Sequence, residues 1–463
     1  MTGSLLSKYW TELSKSTRQQ VVLAAQSPLF NKREDVRRLI DLMICTPPTS
    51  KEAAWKAVYG PGHPPYHDGK FRHLMNYTLD LIRQTMAFLE IREKDGLMHM
   101  QLLQSMKRAG MHALMDKEIT HAKAIRDRST DRSAAHFRET VDLEALVFDH
   151  NRMLRRERSD HSSQLFGDFG IMVAIISLQQ GCTKLAQASF FPSDSTIPYL
   201  KETIRLIRDG HFADNPAVST WYASYQALSE PDNRERFLVL KECIASHARL
   251  FPEEELRDLY ILALNVCIRR INASDKAYIR EAFAIYQAGL EAGVFLENGH
   301  LSKFTYRNVL NIALALEEWG WAKAYLEEYR PYLPPREQEQ IYTYNLATYY
   351  FRKQEYEEAL TLLRDARVSE TLEQFDVRRM MVRIYYDRNE IQALDSLLDS
   401  FDIYLRRHKK GGYHRKMFMN MVRIMRSLVS AKGRSEQNKS RLRKKISNLE
   451  YLAEREWLLS LVT

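Results

Sequence analysis

Two stretches near the C-terminal end of this chain repeat one another at a fixed distance. Leu346, Ala347, Tyr350, Ala359, Leu360 and Leu363 recur at one constant offset as Met380, Met381, Ile384, Ala393, Leu394 and Leu397, apolar opposite apolar at each position. The triplet Asn345-Leu346-Ala347 is itself preceded, at the same offset, by Asn311-Ile312-Ala313. A period of about 34 residues is that of a helix–turn–helix unit, which buries its apolar face only against its neighbours. The chain is therefore expected to form stacked helical hairpins here, and such a stack exposes a long surface built from equivalent helices.

Composition agrees with an all-α chain. Its 463 residues include only 17 glycines and 14 prolines, roughly 7% against the ~12% of average usage, and these fall mostly between periodic segments. The longest apolar run, Ile171 to Leu178, contains Ser177 and is far shorter than the ~20 residues of a spanning helix. No transmembrane segment is expected. Residues 1 to 25 carry Lys8, Glu12, Lys15 and Arg18 at helical spacing instead of an apolar signal core. Cys45, Cys182, Cys243 and Cys267 are widely spaced with no CxxC pair, which predicts reduced, buried thiols in a cytoplasmic protein.

Three regions follow from the pattern. Residues 1–92 read as an N-terminal helical module, with helices over Leu5 to Leu23, Arg33 to Ile44, Lys51 to Tyr59 and Gly69 to Ile91. Asp68 is the expected N-cap of the last, with an inward stripe of Phe71, Leu74, Met75, Thr78, Ile82 and Met86. Residues 93–212 form an irregular helical region whose most apolar helix, Ile171 to Ala188, follows Gly167 and Gly170. Residues 213–463 read as paired helices: 221–228 with 234–251, 254–271 with 276–292, 303–318 with 321–329, 337–352 with 356–366, and 372–386 with 391–407, ending in basic C-terminal capping helices.

Within the fourth pair, Leu346-Ala347-x-x-Tyr350, then Tyr356-x-x-Ala359-Leu360 and Ala366, resembles the tetratricopeptide repeat. Small residues at Ala347, Ala359 and Ala366 let two helices approach closely while Tyr350 and Tyr356 fill the flanking grooves. The sequence departs from that family at Thr343, where a tryptophan is usual, and at Gln354, where the turn glycine is usual. The resemblance implies a right-handed solenoid with a groove lined by outward residues of the first helices. On its register Tyr344, Asn345, Thr348 and Arg352, with Leu310, Asn311 and Leu314 of the preceding unit, face that groove and bind a peptide or partner helix. Asn311 and Asn345 are the foremost candidates, because an Asn amide can both donate to and accept from a peptide backbone; the same residues could instead bridge neighbouring helices.

No motif in the chain calls for a cofactor, a metal or catalysis. His63, His67, Asp68 and His73 are the densest histidine cluster, but their spacing does not bring three or four ligands to one shell. Adjacent Glu pairs such as Glu357-Glu358 splay around a helix and do not converge. The rival to groove binding is charge. Between Leu405 and Ile446 there are fifteen Lys and Arg against the single acid Glu436, so that stretch carries +14 of the net +9 and the rest of the chain −5. Arg406, Arg407, Lys409, Lys410, Arg415, Lys416 and Arg423 surround an apolar stripe of Met417, Phe418, Met421 and Val422. Such a patch either caps the stack or meets nucleic-acid phosphates, an anionic membrane surface or an acidic partner. A nucleic-acid-binding regulator using this patch, or the N-terminal helix carrying Lys70, Arg72, Asn76 and Arg83, is the alternative to a protein–protein interaction scaffold.

Overall fold

A computed structural model describes residues 3–45, 48–62, 65–154, 161–187, 196–366, 370–408, 412–430 and 436–462. The chain divides into two compact units, 1–177 and 178–463. Among the described residues it is all-α apart from one two-residue ribbon.

The first unit opens with α1 (Leu5–Glu12) and α2 (Lys15–Gln26), where apolar spacing alone reads one helix from Leu5 to Leu23. Ser14 makes the break: its hydroxyl accepts from the Thr17 amide, capping α2. α3 (Glu34–Cys45), α4 (Lys51–Tyr59) and α5 (Asp68–Glu93) follow. The expected cap at Asp68 is corrected: His67 caps α5 by accepting from the Lys70 amide, and Asp68 is the first helical residue. Its carboxylate accepts from the Tyr66 hydroxyl and Lys51 and pairs with Arg72, which holds its pKa down at about 2. The inward stripe of α5 runs Phe71, Leu74, Met75, Thr78 and Ile82 as expected, then passes to Thr85, leaving Met86 exposed. One core cluster joins α1 to α5 around Val21, Leu39, Ile40 and Phe71. A second, around Leu103, Met115 and Val147, joins α6 (Asp95–Arg108), α7 (His112–Arg128) and α8 (Ala134–Met153).

α9 (His161–Gln187) contains the unit boundary. Gly167 and Gly170 lie inside it, not before it. It is also longer than its apolar run: Ser163 to Gln187 is long and apolar enough to cross a membrane by length and composition, with a third of its most apolar window buried. That corrects the expectation that no segment reaches this length.

The second unit continues with α10 (Leu200–Arg208) and then helices that pack in consecutive pairs: α11 (Pro216–Ser229) with α12 (Arg234–His247), and α13 (Glu253–Asn272) with α14 (Ala277–Glu291). Next comes the ribbon, β1 (Leu296–Glu297) and β2 (His300–Leu301), antiparallel with Leu296 opposite Leu301. Asn298 and Gly299, with φ of 50° and 78°, form the turn between them, the Asn-Gly hairpin signal. The pairing resumes with α15 (Lys303–Ala315) on α16 (Trp319–Glu328), α17 (Gln338–Lys353) on α18 (Tyr356–Asp365), and α19 (Thr371–Asp387) on α20 (Ile391–Arg407). α21 (Gly412–Ser430), α22 (Glu436–Asn448) and α23 (Arg455–Ser460) complete the chain.

The repeated alanines sit where close approach demands them. Ala313, Ala347 and Ala359 are fully buried, while Ala393 and Leu397 are only partly so, and Leu394 and Leu398 take the core positions of α20. A core cluster then runs from Tyr344 through Phe375 and Phe401 to Leu458 and Val462, so the last helices are packed into the same core as α17 to α20. The four cysteines are free thiols: Cys182 and Cys267 are buried, which pushes both thiols up, Cys267 to about 12, whereas Cys45 is exposed, contrary to expectation.

Candidate functional site: a polar cleft on the first helices

α15, α17 and α19 are the first members of three consecutive pairs, and their N-terminal turns surround one small cleft. α15 contributes Lys303 and Arg307, four positions apart on one face. Glu337, in the turn before α17, and Gln340, Ile341, Tyr344 and Asn345 of α17 form the middle wall, and Glu373 comes from α19. Lys303 and Glu337 occupy equivalent positions of the repeat. The cleft is small and has room for a water.

Most polar side chains of the cleft are unpaired. Lys303 forms an ion pair with Glu370, which raises its pKa. The side chains of Arg307, Glu337, Gln340 and Glu373 form no hydrogen bond or ion pair among the described residues. Half-buried Glu373 has its pKa raised by desolvation first and then by the nearby charge of Glu370. Asn345 is 2% exposed; its Nδ2 donates to the Ile341 carbonyl at 2.7 Å, and its Oδ1 is buried with no donor. That carbonyl fixes the orientation of the amide, since a flip would set oxygen against oxygen.

A continuous polar network leads from the cleft along α19. The Tyr344 hydroxyl donates to Asp376 at 2.7 Å, and Asp376 accepts from Arg379 at 2.6 Å. Arg379 also pairs with Glu454, which accepts from Arg383 at 2.9 Å. The Trp457 indole donates to Asp387 at 3.3 Å, and the Arg383 guanidinium lies 5.4 Å from the Trp457 ring. In the repeat register Arg379 is the equivalent of Asn345, and Tyr386 that of Arg352; Tyr386 packs edge-on against Trp457. At α19, then, the face equivalent to the cleft is covered by the chain's own residues 454–457.

The residues expected to line a groove divide sharply. Asn311 is exposed and continues the Lys303–Arg307 stripe of α15 by one more turn; Arg352 is exposed at the far end of α17, outside the cleft. Leu310, Leu314, Tyr344, Asn345 and Thr348 are buried. This corrects their expected outward orientation: the two leucines pack between helices, and the Thr348 hydroxyl donates to the Tyr344 carbonyl. Only Tyr344 and Asn345 of these reach the cleft. Lys303, Glu337, Gln340 and Glu373 escaped sequence reasoning, although a stripe traced one or two turns toward the helix N-termini passes through them.

The basic segment is partly neutralised from within. Arg406 pairs with Asp402 and Arg426 with Asp399, while Arg415 donates to the Leu405 carbonyl at 2.6 Å. Exposed Lys416 lies 5.0 Å from the Tyr451 ring, and Arg423 reaches Asn420. Arg407 is exposed; Lys409 and Lys410 lie outside the described residues. In the N-terminal unit His63 likewise lies outside them, and no cluster of His, Cys, Asp or Glu with metal-holding geometry occurs among the described residues.

Comparison with protein-family models, with curated proteins and with solved structures finds no match for this chain. Its functional reading stands on its own residues.

Proposed function

We propose that residues 213–463 form a tetratricopeptide-like right-handed solenoid acting as a protein–protein interaction scaffold, which holds a peptide or helical segment of a partner along the first helices of its hairpins. The observation that carries this reading is the cleft shared by α15, α17 and α19, where Arg307, Glu337, Gln340, Glu373 and the Asn345 carbonyl oxygen are left without hydrogen-bonding partners among the described residues. Of these only the Asn345 oxygen is buried; the other four side chains are partly or fully exposed on the first helices of three consecutive pairs and are open to a partner. Supporting it, each helix pair packs on the next, α14 on α15, α16 on α17 and α18 on α19, and the first helices α15 and α17 also touch, the nearest-neighbour pattern of a repeat stack. Binding is by apolar burial and backbone hydrogen bonds, without catalysis.

The test is panning of displayed random peptides on the immobilised full chain. An enriched family that binds wild type and Arg441→Glu alike, but is weakened about tenfold or more by Arg307→Glu, supports groove binding. Failure to enrich any family over a blank surface, or equal binding by Arg307→Glu, refutes it.

A second reading is kept by one observation: Arg441, Arg443, Lys444 and Lys445 of α22 are exposed and have no acidic partner among the described residues. This helix joins exposed Arg407, Lys416 and Arg423 as a candidate for phosphate contact. Titration with DNA and RNA at two salt concentrations decides it, because binding through phosphates weakens steeply as salt rises.

A further inference from the structure

We infer that a cavity in the first unit, between the α1–α2 elbow and the end of α3, binds a small amphipathic carboxylate: an apolar body ending in one anionic group. This does not depend on the groove reading.

The cavity follows from the break at Ser14. Its cap turns the chain between α1 and α2, so that Trp10 of α1 and Lys15 and Arg18 of α2 line one hollow with Met43 and Ile44 of α3. The volume is ≈ 510 Å³, within the ~300–1,000 Å³ of small-molecule sites. Arg18 braces the elbow. Its Nε donates to the Trp10 carbonyl and its Nη2 to the Thr11 carbonyl, both at 3.0 Å, and its guanidinium lies 5.7 Å from the Trp10 ring. Those carbonyls belong to the last turn of α1 and would otherwise lack donors, so the negative end of that helix is satisfied from within.

The lining combines apolar surface with positive charge. Trp10 and Met43 extend the core of the unit into the cavity, Ile44 is 47% exposed, and Pro48 adds a further apolar wall. Lys15 and Arg18 bring two cations, and no carboxylate lines the cavity among the described residues. Lys15 forms no hydrogen bond or ion pair among them. Arg18 has used two of its five N–H donors, both on neutral oxygens that leave its charge uncompensated. Ser7 and Gln19 add side chains without hydrogen-bonding partners among the described residues. Lys15 is also the first residue of α2, whose N-terminal pole has the same sign.

These features together select the ligand. A purely apolar molecule leaves both cations unused, a small inorganic anion leaves Trp10, Met43 and Ile44 facing water, and a cation is repelled. A carboxylate on an apolar body answers both sides of the cavity, with its oxygens matched to the guanidinium fork and the free ammonium.

The test uses the full chain labelled with fluorotryptophan, the Trp10 fluorine signal being assigned by its loss in Trp10→Phe. At neutral pH sodium octanoate is expected to move that signal saturably. Octan-1-ol, with the same chain and no charge, is expected to bind about tenfold more weakly, the value of one charge-assisted contact, and octylammonium chloride more weakly still. Two variants at exposed side chains locate the site: Lys15→Gln is expected to weaken octanoate about tenfold and leave octan-1-ol unchanged, and Ile44→Asp to weaken both, with melting temperatures checking that each is folded. Equal affinities for the three probes would mean that the cavity takes any apolar additive, and would overturn the inference. Octanoate binding unaltered in both variants would place the ligand elsewhere and overturn it too, as would a Trp10 signal that octanoate does not move.

Discussion

Arg379 forms an ion pair with Glu454, 75 positions later in the chain. Glu454 has a left-handed backbone, φ 57°, and also accepts from Arg383, so one carboxylate anchors the start of α23 to two arginines of α19. All three side chains are mostly buried.

Glu454→Gln keeps the shape but removes the charge that two partly buried guanidinium groups share. The expected loss is about 2 kcal/mol, below the ~3–5 kcal/mol of a fully buried pair, because both arginines keep some solvent. Asp376 and Asp387 remain to them. Chemical denaturation measures this, with Glu456→Gln, an exposed neighbour, expected to stay within about 0.5 kcal/mol of wild type. Equal effects in the two variants would show that the Glu454 pairs contribute nothing particular.

Asp376 gives this network a pH dependence. Burial alone would raise its carboxyl, but the Arg379 charge and hydrogen bond and the Tyr344 hydroxyl outweigh it and hold the pKa below the ordinary 3.8. A folded pKa below the unfolded one contributes stability that is fully present above 3.8 and is lost as pH falls through the folded value. The difference in stability between wild type and Asp376→Asn is therefore expected to be constant from neutral pH down to about 4, and to shrink below it. Taking the difference cancels other acids such as Asp68. A difference that does not change down to about pH 2 would contradict the assignment.

Gln354 ends α17 in the left-handed region, φ 66° and ψ 19°, at the position where the tetratricopeptide pattern has glycine. A side chain there costs about 1 kcal/mol or more, which glycine avoids, although glycine loses more entropy on folding. Gln354→Gly is expected to stabilise the protein by about 0.5–1 kcal/mol. Thermal denaturation checks it, and a fall in melting temperature would mean that the Gln354 side chain makes a compensating contact.

The helical class and the pairing of helices were legible because they rest on periodicity, which needs no knowledge of neighbours. The predicted pairs 337–352 with 356–366 and 372–386 with 391–407 differ from the observed helices by at most one residue at any end. What periodicity does not carry is local chemistry. The Ser14 cap splits one amphipathic run into two helices, and the Asn298-Gly299 turn rests on a dipeptide signal that helical periodicity does not register. The cleft was hardest. A fixed repeat register identifies which helix faces align, but how deeply a turn is buried depends on the next helix pair, so Leu310 and Thr348 proved to be core while Lys303 and Glu373, nearer the helix starts, stayed accessible. The covering of α19 by Glu454 and Trp457 is set by contacts between distant parts of the chain, such as Trp457 to Asp387, which no local pattern encodes.

Glu373 separates a structural acid from one held for a ligand. Its folded pKa is raised above the ordinary 4.5 by desolvation and by Glu370, so its ionised form opposes folding at neutral pH, and that opposition disappears as pH falls below the unfolded value. Glu373→Gln is therefore expected to melt higher than wild type at about pH 7, with the two converging near pH ~3, where both side chains are neutral. A residue whose removal stabilises the protein while abolishing a contact is the pattern of a site kept at the expense of stability. A structural carboxylate would do the opposite: if Glu373→Gln melts lower at neutral pH, the residue already has its partner in the folded chain, Lys303 and Arg307 being the cations that act on it.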